Sequence, residues 1–282
     1  MDYRKRLIVE PGSQVDLSTI DPDFKDDQES KSSADEELAK HARRLADLQY
    51  LMYAENRRSL LICLQGLDAA GKDGTIRHVL GAMNPQGARA HAFKTPSTLE
   101  ASHDFLWRAH EQSPARGEIV VFNRSHYEDV LVVRVHSLVP KDVWSKRYDL
   151  INAFEANLVQ NGTHILKFFL HISEDEQLRR YRKRLDDPRR HWKVSEADYS
   201  ERMFWSEYVK AYDEALSKTS TKHAPWFVVP ANHKWFRNLA ISTIIVDHLE
   251  SFKMKTPPPK VDLEQIRRKY HAAERDERRN GK

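Results

Sequence analysis

The chain has 282 residues, 40% of them apolar and 31% charged, enough for one good core or one domain plus a sizeable insertion. A mean hydropathy of −0.72, with no apolar run near the ~20 residues that span a bilayer, excludes a helical membrane protein. The single cysteine, Cys63, excludes disulfides and cysteine zinc sites within one chain, while a pI of 9.0 with unevenly placed cations suits a polyanionic partner.

In chain order, residues 1–34 read as an irregular polar arm with Pro11-Gly12 and an acidic patch from Asp21 to Glu29. No apolar segment follows Met1–Arg6, so no secretory leader is expected and the cytoplasm is the expected location. Leu38, Ala42, Leu45, Leu48, Leu51 and Met52 recur at helical spacing and predict a helix over 35–57. A strand over 59–65, a glycine loop and a helix over 75–83 follow. Next come a short strand at 90–93, a helix over 97–110, a buried-type strand at 118–122 and a helix over 141–159. The strands 164–172 and 226–229 and the helix 236–252 complete the body. Alternation of this kind predicts a three-layer α/β/α fold with a parallel sheet. The basic run 178–193 lies in an insertion over about 174–221 that reads as a helical lid. The body spans 35–255, and a charged tail, 256–282, begins at Pro257-Pro258-Pro259 and holds a last helix over 261–279.

The loop Gly66-Leu67-Asp68-Ala69-Ala70-Gly71-Lys72-Asp73-Gly74 between strand and helix is a P-loop pattern. Glycines let backbone N–H groups converge on phosphate, the helix N-terminus adds positive potential, and Lys72 neutralises the transferring end. Gly66, Ala69, Ala70, Gly71, Asp73 and Gly74 are therefore candidate phosphate contacts, although Asp73 stands where a Ser or Thr hydroxyl commonly holds magnesium. Asp68 is a candidate magnesium ligand or, alternatively, an Asx turn of the loop itself. The next strand ends in Asn123 where a second metal carboxylate would usually sit. That role is placed on Asp129, with Glu128 assigned to the nucleotide or a water, or else to a surface ion pair. Arg124 should reach the phosphates, and Arg134 should do likewise or pair with an acid. No nucleophile elbow and no H-E-x-x-H spacing occurs, so His126 carries no triad chemistry.

Several longer strings resemble the polyphosphate kinase 2 family: GLDAAGKDG at 66–74, Phe93-Lys94-x-Pro96, Asp104–Arg108, FNRSHYEDVL at 122–131, Asp187-Pro188…Trp192-Lys193 and Val229-Pro230-Ala231. The resemblance spans roughly 45–250. It implies a thymidylate-kinase-like P-loop fold with a lid, inorganic polyphosphate as donor, nucleotides as acceptors, Mg2+ as cofactor, and homodimers or homotetramers. The Asn123–Asp129 string is similar to the class III branch, which implies AMP and ADP as acceptors, giving ADP and ATP reversibly. By motif position Asp68, Lys72, Arg124 and Asp129 carry over as the catalytic and metal set. Lys94, Arg184 and Lys193 carry over as polyphosphate or lid contacts. An ATP-dependent nucleoside or nucleotide kinase would share the loop and lid. A P-loop protein that only binds nucleic acid would need a base-reading motif, which the sequence lacks.

Overall fold

The computed structural model describes residues 1–26 and 30–280; the end of the acidic patch, 27–29, lies outside them. Five strands form one parallel sheet in the order β2-β3-β1-β4-β5. They are β1 (Ser59–Gln65), β2 (Ala88–Ala92), β3 (Ile119–Asn123), β4 (Thr163–His171) and β5 (Trp226–Pro230). The central strand β1 is buried along its whole length, as a strand covered on both faces must be, and its sequence is accordingly a near-continuous apolar run.

The helices of nine residues or more are labelled here α1 (Lys31–Glu55), α2 (Lys72–Leu80), α3 (Arg147–Gln160), α4 (Glu174–Leu185), α5 (Trp205–Thr219), α6 (Lys234–Glu250) and α7 (Leu263–Asn280). One core packs Leu45, Leu48 and Met52 of α1 and Leu239, Ile241 and Ile245 of α6 against β1, β4 and β5. A second, on the other face, joins Tyr148 and Ile151 of α3, Ala215 and Leu216 of α5, and Phe169, Trp226 and Val228. None of the helices among the described residues is long and apolar enough to cross a membrane.

Two predicted helices are interrupted. The span 97–110 is broken into Thr98–Ala101 and Trp107–Gln112, because the Asp104 carboxylate accepts the Leu106 N–H at 2.9 Å and turns the chain. The span 141–159 divides into Lys141–Trp144 and α3. The arm is mostly irregular yet firmly seated. It holds a short helix, Tyr3–Leu7, an antiparallel bridge from Ile8 to Phe227 of β5, and the buried side chains of Val9 and Leu17. It covers the outer edge of β5, which would otherwise offer unpaired backbone groups. The helical insertion between β4 and β5 runs through α4, the turn Pro188–Lys193, the short helix Glu196–Glu201 and α5.

Candidate active site

The switch point of an open parallel sheet lies where the chain leaves the central strand for opposite neighbours, and β1 is flanked there by β3 and β4. The loop 66–71 leaves β1 at that point and enters α2. Gly66 has φ +151, and a Cβ on it would stand 2.9 Å from the Leu170 carbonyl oxygen. Gly71 has φ +109, and a Cβ there would collide with the Arg237 guanidinium. These two positions therefore demand glycine for both conformation and space.

The loop carbonyls are turned inward onto cations and an amide. Arg180 Nη1 donates to Ala69 O and Ala70 O, each at 2.8 Å. Arg237 Nη1 donates to Ala70 O at 3.1 Å, and Gln177 Nε2 to Asp68 O at 2.9 Å. With these carbonyls fixed inward, the N–H groups of Ala69 and Gly71 lie on the opposite sides of their peptide units, where an anion can meet them, while the Ala70 N–H donates to Leu67 O at 3.1 Å. Lys72 Nζ donates to Gly66 O at 2.7 Å. Burial pushes its ammonium pKa down, helped by Arg124 and opposed by Asp68 and Glu128. Arg237 is almost wholly enclosed, and burial together with Arg180 pushes its pKa down to about 9. A cation buried without a carboxylate of its own is unfavourable until an anion arrives.

Beyond β3, Arg124 adopts φ 61 and links two acids. Its Nη2 donates to Asp68 Oδ1 at 2.9 Å and its Nη1 to Glu128 Oε2 at 3.5 Å. Against the cost of burial, Glu128 and Asp68 raise the Arg124 pKa above its usual range. Glu128 Oε1 also accepts from Gln65 Nε2 at 3.1 Å. Burial raises the Glu128 pKa, with Arg124, Gln65 and Lys72 acting in the opposite sense.

Two cavities meet at the Asp68–Arg124 pair, which lines both. The larger runs between the loop and the helical insertion, where eleven lysines and arginines face only two carboxylates, Asp68 and Asp73. Lys72, Arg180 and Arg237 lie at its floor. Lys183, Arg184, Arg189, Arg190 and Lys193 come from the insertion. The smaller cavity has a mixed wall of Leu131, Val132, Trp205, Tyr208 and Tyr212, with Gln177, Glu128, Glu201 and Arg202 as its polar groups.

The predicted site residues distribute unevenly over this geometry. Asp68, Lys72, Asp73, Gly74, Arg124, Arg184 and Lys193 line the basic channel together with Ala69 and Gly71, and Gly66 and Glu128 line the smaller cavity. Ala70 is buried beneath the loop and contributes its carbonyl. Arg184 Nη1 also donates to Asp198 Oδ2 at 2.8 Å. Asp73 accepts from Asn123 Nδ2 at 2.9 Å and from Lys193 Nζ at 3.4 Å, so the two departures from the usual P-loop pattern contact each other. Asp129 lies away from both cavities. Its Oδ2 accepts from Arg108 Nη2 at 3.2 Å and its Oδ1 from Arg147 Nη1 at 3.1 Å. Arg134 donates to Glu214 Oε2 at 2.5 Å and lies over the Trp144 ring, which is the acid pairing left open by the sequence. Lys94 is exposed, outside both cavities, and among the described residues only its carbonyl is engaged, by Arg108 Nη1 at 2.8 Å.

Sequence reasoning missed Arg180, Arg237, Gln177 and the aromatic wall. Arg237 did leave a signal, since it is a cation just ahead of the largely apolar stretch Leu239–Val246 of α6. His126 is wholly buried and faces Glu155 at 3.4 Å. The Glu155 carboxylate also takes Lys167 Nζ at 2.6 Å and Tyr127 OH at 2.8 Å. This enclosed network fixes the segment that carries Glu128 from beneath.

A parallel sheet with a glycine loop, an invading lysine and a cation-rich insertion defines a P-loop phosphotransferase. Comparisons with known proteins narrow that class. The family model for polyphosphate kinase 2 (PPK2) matches residues 28–257. The chain is 49% identical over 263 residues to an AMP/ADP-polyphosphate phosphotransferase of Meiothermus ruber, covering 93% of this chain and 98% of that one. It is 46% identical to an ADP-polyphosphate phosphotransferase of Rhodopseudomonas palustris, over 93% and 96% of the two chains. The crystal structure of polyphosphate kinase 2 from Arthrobacter aurescens superposes with a TM-score of 0.91 at 42% identity, over 96% and 97% of the two chains. The chain belongs to the polyphosphate kinase 2 family, and it is a phosphotransferase.

Proposed function

We propose that this enzyme transfers phosphoryl groups from inorganic polyphosphate to AMP and ADP, giving ADP and ATP reversibly. The observation that carries the reading is the meeting of a long cationic channel with a small aromatic cavity at one Asp68–Arg124 pair. A polymer with about one negative charge per phosphate fits the channel, and its binding should release counterions. The nucleotide is assigned to the smaller cavity, with its base toward the Trp205, Tyr208 and Tyr212 side and its phosphates toward Asp68 and Arg124. The name of the relative in Meiothermus ruber supports the same donor and both acceptors, and that of the relative in Rhodopseudomonas palustris the same donor with ADP.

In the forward direction a terminal oxygen of the acceptor attacks the terminal phosphorus of the polymer. The P–O bond to the rest of the polymer breaks, and the shortened chain leaves with its charge held in the channel. The attacking oxygen is already anionic, so no general base is needed, and catalysis rests on position and charge. Lys72 and Arg124 supply positive charge at the transferring group, while loop N–H groups hold its neighbours. Asp68 lines both cavities, whereas Glu128 lines only the smaller one and has its two oxygens engaged by Gln65 and Arg124. Asp68 would therefore be the residue to hold a magnesium ion, which takes one or two carboxylates and completes its shell with other oxygens and water. When bound, the ion would supply positive charge that offsets that of the phosphates. Asp129 is read here as a positioning residue, because its carboxylate is committed to Arg108 and Arg147.

Residues 35–255 with the insertion 174–221 would carry the reaction, in a cytoplasmic homodimer or homotetramer as the family resemblance implies. Incubation of ADP, and separately AMP, with long-chain polyphosphate and Mg2+ but no ATP tests the reading. ATP should form from ADP, and ADP followed by ATP from AMP. Turnover that requires a nucleoside triphosphate donor would replace it with an ATP-dependent nucleotide kinase.

A further inference from the structure

The aromatic side of the smaller cavity is carried by one helix: Trp205, Tyr208 and Tyr212 recur at i, i+3 and i+7 on α5. Asp213 and Ser217, one turn apart on an adjacent stripe of that helix, bind the backbone of the N-terminal arm. The Leu17 N–H donates to Asp213 Oδ1 at 2.9 Å, and the Val15 N–H donates to Ser217 Oγ at 2.8 Å. Ser217 Oγ in turn donates to Asp213 O at 2.6 Å. The Leu17 side chain is buried in the same apolar cluster as Tyr212 and Leu131, both of which line the cavity.

At either end of this contact the arm is pinned to the sheet. The Val9 N–H donates to Trp226 O at 2.9 Å, Ser220 Oγ donates to Val9 O at 2.6 Å, and His171 Nε2 bonds Ile20 O at 3.0 Å. Residues 9–20 therefore tie α5 to the rigid edge of β5. They precede the span 28–257 that matches the family model, and none of them lines the basic channel.

We infer that the arm is a brace for the acceptor site, with Asp213 and Ser217 as positioning residues that set nucleotide affinity without affecting the polymer track. The brace rests on the reading of the aromatic cavity as the nucleotide site. Its physical basis is preorganisation. The insertion ahead of α5 supplies Glu201 and Arg202 to the cavity, and α5 is itself held to the sheet where Tyr212 OH donates to Gln65 Oε1 at 3.2 Å and Lys167 Nζ donates to Thr219 O at 2.7 Å. The arm adds two backbone contacts and one buried side chain to that hold and steadies the rings, so the nucleotide has less ordering of them to do on binding.

Calorimetric titration with ADP, and separately with long-chain polyphosphate, tests this in the full chain. Ser217→Ala and Asp213→Ala should each weaken ADP binding about fivefold, the scale of one net hydrogen bond, and leave polyphosphate affinity as in the parent. Asp213→Asn keeps an acceptor oxygen and should bind ADP like the parent. Val15→Pro removes the arm's donor without touching α5. It should reproduce the Ser217→Ala loss, and the double variant should lose no more than either single one, since both break the same bond. In steady state the KM for ADP should rise at unchanged kcat. Unchanged ADP affinity in the alanine variants, or equal weakening of both ligands, would overturn the brace and leave a purely structural contact. A parent chain that fails to bind ADP would overturn the nucleotide reading of the cavity along with it.

Discussion

Lys72 and Glu128 occupy opposite ends of the charge arrangement around Arg124, and each has a distinct experimental signature. The Lys72 ammonium rests on Gly66 O and Leu67 O, a position from which a phosphate oxygen would draw it outward. Lys72→Ala should lower kcat by ~10²–10³ while far-UV circular dichroism stays that of the parent, because the loss is of a preorganised charge. Parent-like turnover would remove the loop from the mechanism. Glu128 is governed by burial, which raises its pKa above the ordinary 4.5. Between 4.5 and that raised value the folded chain holds a proton that the unfolded chain releases. Ionising Glu128 therefore reduces stability as pH rises through that window. Activity should run the other way, since only the carboxylate pairs with Arg124. The acid limb of kcat/KM should have its midpoint above 4.5, and Glu128→Gln should abolish that limb. An acid limb that persists in the variant would assign it to another group.

At the scale of elements, the insertion divides its work between packing and the ligand. The inner side of α4 is committed to the protein. Arg180 spans Glu176, the loop carbonyls of Ala69 and Ala70, and the backbone of Ala231 and Asn232 after β5. One turn on, Arg184 lines the channel and is held by Asp198. Arg184→Ala should raise the KM for polyphosphate and make it less steep in salt, because one fewer counterion is released per bound chain, while the KM for ADP stays put. A loss confined to the nucleotide KM would take Arg184 off the polymer track. Helical periodicity and charge located this insertion and its basic run in the sequence. They did not tell which cations face inward, because Arg180, Arg182 and Arg184 are equivalent in composition and differ only in what the fold places opposite them. Arg182, for example, is exposed beside Asp186.

Across the whole molecule, the compact body ends before α7. Every residue of 263–279 other than Glu274 is exposed. A chain ending at Thr256 should accordingly unfold within about 0.5 kcal/mol of the full chain by denaturant titration, the range of surface changes that break no packing. A larger loss would mean that α7 is held by the body or by another copy.

The strand–loop–helix, read from the sequence over 59–83 and ending at Leu80 in the fold, the alternation that builds a parallel sheet, and the lysine and glycines of the loop are local features, and the sequence alone determined them. Backbone conformation and hydrophobic period depend on neighbours within a few residues, so they are legible without a fold. The pairing of charges is not local. Asp129 is five residues from Arg124 and looked like a metal ligand, yet Arg108 and Arg147, 21 and 18 residues away, claim both its oxygens. Arg237 reaches the loop carbonyl of Ala70 across 167 residues of chain. The aromatic wall of α5 and its arm contacts likewise exist only once β4 and β5 are side by side. Tertiary structure decided these partners because a buried charge or hydrogen-bonding group must be satisfied by whatever the packed sheet brings within about 3 Å, whatever its distance along the chain.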